Sequence, residues 1–134
     1  MRVHLPVVFL VGAYDDALAI HALGLLAMGF YPVTATTADE ALERARRVQP
    51  QAIVEYVAPS SHAAVELTRR FRDDHLTSDA VILALSSDVR TIATQHLKDA
   101  GCDRVLAEPC PPDALAVEIR DAMMSRAARL DVRL

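Results

Sequence analysis

The chain has no run of about 18 uninterrupted apolar residues, which excludes a membrane-spanning helix. It has no excess of positive charge either. Fourteen Lys and Arg stand against 18 Asp and Glu, a formal net charge of −4. That argues against nucleic acid as the main partner, because a phosphate-tracking surface is strongly basic. Cysteine is scarce. Cys102 and Cys110 form no CxxC pair, and no His stands at ligand spacing beside them, which argues against a zinc site. Two reduced thiols suit a cytosolic protein. Glycine is scarce as well, at four residues. Val11-Gly12-Ala13-Tyr14 holds one of them, without the spacing of a GxGxxG or Walker phosphate loop. The opening Met1-Arg2-Val3-His4-Leu5-Pro6 lacks the apolar core and small-residue cleavage site of a signal peptide, so the expected location is the cytoplasm. There is no internal repeat and no low-complexity linker. His4, His21, His62, His75 and His96 show no metal-ligand spacing. His21 and His96 fall on predicted helices and read as surface or boundary residues.

What is present is a regular alternation of apolar runs and amphipathic stretches over 134 residues, 52% hydrophobic and 24% charged, the size of one domain with a real core. Val7 to Val11 is a continuous β-favouring run, as in a strand buried on both faces. Asp15 or Asp16 can cap a helix carrying Leu18, Ala22, Leu25 and Met28, stopped by Gly29. Val33-Thr34-Ala35 reads as a second strand, with Pro32 suiting an edge. Thr37 to Glu40 forms a capping box ahead of a helix over 39–48. Ala52-Ile53-Val54 leads a third strand to Glu55-Tyr56. Ser60 or Ser61 starts a third helix with Val65, Leu67 and Phe71. Val81 to Leu85 is a fourth strand, and Ser87 is expected to cap a helix over 88–100 that Gly101 closes. Val105-Leu106-Ala107 is a fifth strand. Pro112 opens a last helix with Leu115, Ile119 and Met123 on one face. Alternating βα units imply an α/β fold: a five-stranded parallel sheet with helices on both faces, a (βα)5 flavodoxin-like doubly wound sandwich of order 2-1-3-4-5.

Several segments then resemble the receiver domain of bacterial two-component response regulators, over about residues 6–124. Gly29-Phe30 resembles the family's Gly-Tyr, and Ala35 to Leu42 its A-x-[DN]-G-x-E-A-L stretch. Val81 to Ser86 resembles P-V-I-x-[LM]-[TS]. Ala100-Gly101-Cys102-Asp103 resembles A-G-A-[DE], and Glu108-Pro109 with Pro112 to Leu115 resembles K-P-F-x-P-x-E-L. The resemblance implies a receiver-like domain over 1–125, with 126–134 as a C-terminal tail or an extension of the last helix. It also implies a pocket at the carboxyl ends of the strands. There an acidic pair and an aspartate hold Mg²⁺, the aspartate takes a phosphoryl group, a Ser/Thr hydrogen-bonds that group and a Lys neutralises it.

At most of these points the sequence departs from the pattern. Gly12 and Ala13 replace the acidic pair. Counting forward from Ala41-Leu42 puts Tyr56 at the phosphoacceptor position, a register that keeps helix and loop lengths intact. Counting back from Pro59 puts Glu55 there instead. Glu108 replaces the Lys, and Ser86 alone matches. At an effective dielectric of about 20, unit charges ~4 Å apart interact by ~4 kcal/mol, so an ionised Glu108 in the pocket turns an attraction of that order into repulsion. Mg²⁺ binding is expected to be lost or weak, with no other cofactor. Asp15 and Asp16 read first as helix-capping carboxylates and second as a candidate residual cation site with Glu55. The resemblance raises the expectation of a cis Glu108-Pro109 bond. Cys110 reads as a partly buried, inert thiol.

Three readings follow. In the first, the chain is an atypical, pseudo-receiver signalling module of a two-component (phosphorelay) or related system. It acts by phosphorylation-independent protein–protein interaction through the face of helix four, strand five and helix five. Arg90, Thr94, Lys98, Arg104, Glu118 and Asp121 would be exposed there, with Val105 in place of the family's aromatic switch residue. Homodimerisation through this face is compatible, and with no fused output domain any effect would pass through a partner. In the second, an unorthodox response regulator accepts phosphoryl groups on Glu55 with Asp15/Asp16. In the third, a flavodoxin-like domain binds a small molecule. No nucleophile–base pair can be named, so the chain is not expected to be an enzyme.

Overall fold

Val7–Val11 (β1), Ala52–Val57 (β3) and Val81–Ser86 (β4) are too apolar to leave either side in water, and a parallel strand of that kind is covered on both faces. The computed structural model, which describes residues 4–13, 15–58 and 62–132, places these three at the centre of one sheet. Tyr31–Ala35 (β2) and Arg104–Ala107 (β5) form its edges. The strand order is β2-β1-β3-β4-β5 with every pairing parallel, the expected topology. Five helices alternate with the strands: α1 Asp16–Ala27, α2 Ala38–Val48, α3 Ala63–Asp73, α4 Thr91–Ala100 and α5 Pro112–Val132.

The period-two alternation of a strand divides the core. Phe9, Ile53, Ile82 and Ala84 meet Leu42, Leu67, Phe71 and Leu97 of α2, α3 and α4. Val8, Leu10, Val54 and Leu83 point the other way, to Leu18, Leu25, Leu115 and Ile119 of α1 and α5. Pro32 lies in the edge strand β2, where its missing N–H removes no ladder bond from a central pairing.

The helix starts follow local chemistry, with two corrections. Asp15 is the N-cap of α1 and accepts from Leu18 N at 2.9 Å. Thr37 caps α2, accepting from Glu40 N at 3.1 Å, but the second half of the expected capping box is absent. The Glu40 carboxylate turns along the helix to Arg44, 3.0 Å away, because an i,i+4 partner of opposite charge competes with the cap amide. The larger correction is at α4, which starts at Thr91 rather than at Asp88 under a Ser87 cap. Ser86 Oγ accepts from Asp88 N at 3.0 Å, and Asp88 Oδ1 accepts from Arg90 N at 3.1 Å. These side-chain bonds hold 86–90 in turns and displace the helical bonds. Ser60 and Ser61 lie outside the described residues; α3 begins at Ala63 behind His62, which makes no side-chain cap bond. α5 continues through 126–132, so most of the predicted tail is helix.

Gly24 sits in mid-helix for a reason of space. A Cβ there would stand 2.4 Å from Pro112 Cβ, so α1 can approach the first turn of α5 only without a side chain at this position.

Arg72 and Asp103 tie α3, β4, β5 and α5 together. The Arg72 guanidinium donates to the carbonyls of Ser78, Ala80 and Gly101 and to Asp103 Oδ2 at 2.9 Å. Asp103 Oδ2 also accepts from Ile82 N at 2.8 Å, while Oδ1 meets Arg126 at 3.4 Å and Arg129 at 3.1 Å. Removing the carboxylate strands a mostly buried guanidinium, which costs far more than an exposed ion pair would. Asp103→Ala is therefore expected to lower unfolding stability by about 3 kcal/mol in urea titrations, against less than about 1 kcal/mol for loss of the exposed Arg47–Glu43 pair in Glu43→Ala.

Candidate functional site

The carboxyl ends of the strands collect the turns after β1, β3, β4 and β5. Gly12 follows β1, and its N–H donates to Ala35 O at 3.0 Å. A Cβ at this position would lie 2.7 Å from Tyr56 Cβ, so glycine permits the close approach of Tyr56. Ala13 is exposed beside it.

Tyr56 packs against the α1/α5 side of the core and reaches His21 on α1. The direction of each bond can be deduced. His21 Nε2 lies 2.6 Å from the Cys110 carbonyl, which only accepts, so Nε2 carries a proton and donates. In the neutral ring Nδ1 is then the acceptor, and the Tyr56 hydroxyl, 2.8 Å away, donates to it. Burial holds the Tyr56 phenol well above its ordinary value, reinforced by the charges of Asp15 and Glu108, which keeps that donor proton in place. One imidazole thus joins α1, the end of β3 and the loop between β5 and α5.

Glu55 lies on the opposite face of the sheet. It is 2% exposed, and Oε2 stands 2.6 Å from Thr68 Oγ1 on α3 and 3.7 Å from the Cys102 thiol. Thr68 Oγ1 is also 2.7 Å from Ala64 O. The Thr68 hydroxyl donates to Glu55 Oε2, and Ala64 O competes for the same hydrogen. Oε1 has no partner. Desolvation raises the Glu55 carboxyl from 4.5 to about 7 against the lowering effects of Thr68, Cys102 and Arg72. The same burial pushes the Cys102 thiol up to about 12.

The remaining predicted residues are dispersed. Ser86 is buried, with its hydroxyl committed to Asp88, whose carboxyl is drawn down to about 2 by Arg90. Glu108 is exposed at the end of β5, followed by a cis Glu108-Pro109 bond. Asp15 is occupied as the α1 cap, and Asp16 lies in the first turn. Among the described residues no three His, Cys, Asp or Glu side chains converge as a metal-binding group. Cys110 is partly buried, and burial raises its thiol. A cleft of about 810 Å³ opens here, between α1, the ends of β3 and β4, and residues 108–112.

No family model and no curated protein matches the sequence. The structure has many counterparts. The Vibrio cholerae chemotaxis response regulator CheY4 superposes with a TM-score of 0.80 at 21% identity, covering 89% of this chain and 99% of that one. A response regulator from Thermotoga maritima gives 0.81 at 21%, covering 90% and 99%. The receiver domain of the sensor histidine kinase PA1611 from Pseudomonas aeruginosa, solved with magnesium in its active-site cleft, gives 0.77 at 18%, covering 90% and 98%. The chain has the receiver-domain fold.

Within that fold the α4–β5–α5 face is only partly as expected. Arg90, Lys98 and Asp121 are exposed, but Thr94 and Val105 are half-buried, Val105 against the core. Arg104 and Glu118, expected to be exposed, are half-buried. They pair with each other at 2.8 Å, because β5 and α5 bring opposite charges together. Arg90 is held by Asp88 at 2.7 Å.

His21, read from the sequence as a surface or boundary residue, is buried and central to the pocket. A signal was available: it falls three residues after Leu18 and four before Leu25, on the stripe that buries α1.

Two measurements test this geometry. The folded-state value of Glu55 lies above its unfolded value, so the folded state holds the extra proton between about pH 4.5 and 7 and stability falls as pH rises through that window. At about 1.4 kcal/mol per unit, Glu55→Gln is expected to match wild type near pH 4 and exceed it by about 3 kcal/mol near pH 8.5 in denaturation curves. Tyr56→Phe leaves His21 Nδ1 without its donor. It is expected to destabilise the chain by about 1 kcal/mol and to shift the His21 Nδ1 resonance in ¹⁵N spectra.

Proposed function

We propose that the chain is a receiver-like signalling module that acts by binding a protein partner, without aspartyl phosphorylation and without catalysis of its own. One observation carries this reading. Tyr56, which stands at the phosphoacceptor position in the register counted forward from Ala41-Leu42, is bonded to His21 at 2.8 Å and closely packed on Gly12. A neutral phenol already engaged as a donor is neither a hard oxygen ligand for Mg²⁺ nor an activated nucleophile.

The surroundings support the same reading. Gly12 and Ala13 bring no carboxylate, and Glu108 stands where positive charge would stabilise a transferring phosphoryl group. The residues present do not fit the Mg²⁺ that the fold implies. The alternative of Glu55 as acceptor is disfavoured by its place among Thr68 and Cys102 on the α3 face, with the sheet between it and Asp15. The partner surface in this reading is the α4–β5–α5 face, where Lys98 and Asp121 supply free charge and Ile92 and Val117 are exposed. A second copy of the chain would meet the same surface. The setting is a two-component or related pathway in the cytoplasm.

Intact-mass spectrometry after incubation with acetyl phosphate, with and without Mg²⁺, tests the reading, with a phosphorylatable receiver as control. The expected result is no added phosphoryl group under conditions that label the control. A Mg²⁺-dependent gain of one phosphoryl group would overturn the proposal and direct peptide mapping to Glu55, Asp15 and Asp16.

A further inference from the structure

We propose that the cleft between α1 and residues 108–112 is a binding site for a small organic cation, an ammonium or guanidinium carried on an apolar body. The inference does not rest on the partner-binding reading above and stands or falls separately.

The cleft measures about 810 Å³, within the range of roughly 300–1,000 Å³ that encloses small molecules. Its walls are apolar: Ala17 and Ile20 from α1, Val57 at the end of β3 with Ala58 after it, and Pro109 and Pro111 from the loop. The prolines fix the backbone of that loop, and His21 bonds its Cys110 carbonyl to α1, so both long walls are set in place before any ligand arrives.

Charge then selects the ligand. The two ionised side chains lining the cleft are Asp15 and Glu108, one on each wall. Neither forms an ion pair among the described residues, whereas Arg90 and Arg104 are held by Asp88 and Glu118. No described Lys or Arg lines the space. His21 offers nothing to an anion, because Nε2 already donates to Cys110 O and Nδ1 accepts from Tyr56. A ligand meets hydrogen-bond acceptors of negative charge above a hydrocarbon floor. An anion is repelled, a neutral apolar molecule leaves both carboxylates unanswered, and a cation with an apolar body satisfies both features. The volume favours a whole small molecule over the single Arg or Lys side chain that a protein partner would insert.

The test is a titration of the ¹⁵N-labelled full chain with three near-isosteres: phenethylamine, phenethyl alcohol and hydrocinnamate. Phenethylamine is expected to shift the amide resonances of Ala17, Ile20, Val57 and Ala58 at millimolar concentration, with the alcohol and the acid at least about fivefold weaker. Glu108→Gln, on an exposed side chain, is expected to weaken the amine about fivefold and leave the alcohol unchanged. Asp15→Asn keeps a competent helix cap and is expected to do the same. Equal binding of amine and alcohol, or variants that bind the amine as wild type does, would overturn the assignment to a cation. Shifts confined to residues outside the cleft would overturn the site, and so would the absence of any shift with the amine.

Discussion

A strand buried on both faces sends consecutive side chains to opposite layers, and that alternation decides what the mouth of this sheet can do. Glu55 and Tyr56 are neighbours in sequence, yet Glu55 enters the layer of Thr68 and Cys102 while Tyr56 enters the layer of His21. Moving either one by a residue would turn Ile53 and Val54 out of their clusters as well. The core thus fixes the register, and the register places a phenol at the mouth and a carboxyl in the interior. The chemistry of the site follows from packing that lies well below it.

The buried carboxyl and the tyrosine illustrate two ways of satisfying a polar group away from water. Tyr56 joins a chain in which each proton has an acceptor, from the phenol to His21 and from His21 to the Cys110 carbonyl. Among the described residues Glu55 has one oxygen without a partner, and the cost of burial raises its carboxyl to about 7. The first arrangement links three elements around a cleft. The second adds nothing to the surface and leaves a charge-sensitive point inside the α3 layer.

The fold was legible because its signals are repeated. Continuous apolar strands, helical stripes and turn residues all indicate the same alternating sheet, and each reinforces the others. The site was legible in part. The absence of carboxylates at Gly12 and Ala13 and the acidic Glu108 can be read directly from the letters. Helix starts held by competing short-range bonds were harder. Ser87 looks like a cap, and only the bonds among Ser86, Asp88 and Arg90 show why the helix waits until Thr91. Long-range polar partners were illegible: nothing local pairs His21 with a carbonyl 89 positions away, or Arg104 with Glu118.

The contact between Gly12 and Tyr56 also constrains how this sequence can change. A Cβ on residue 12 would stand 2.7 Å from the Cβ of residue 56, and both atoms are attached directly to main chain. No rotamer can separate them, and every residue other than glycine at position 56 carries the same obstructing atom. An acidic side chain at position 12 therefore demands a shift of the first strand against the third, which are paired along Val8–Val11. A carboxylate introduced at position 12 meets that structural penalty before it could bring any benefit. At this end of the sheet the backbone spacing, before any side-chain chemistry, limits residue 12 to glycine.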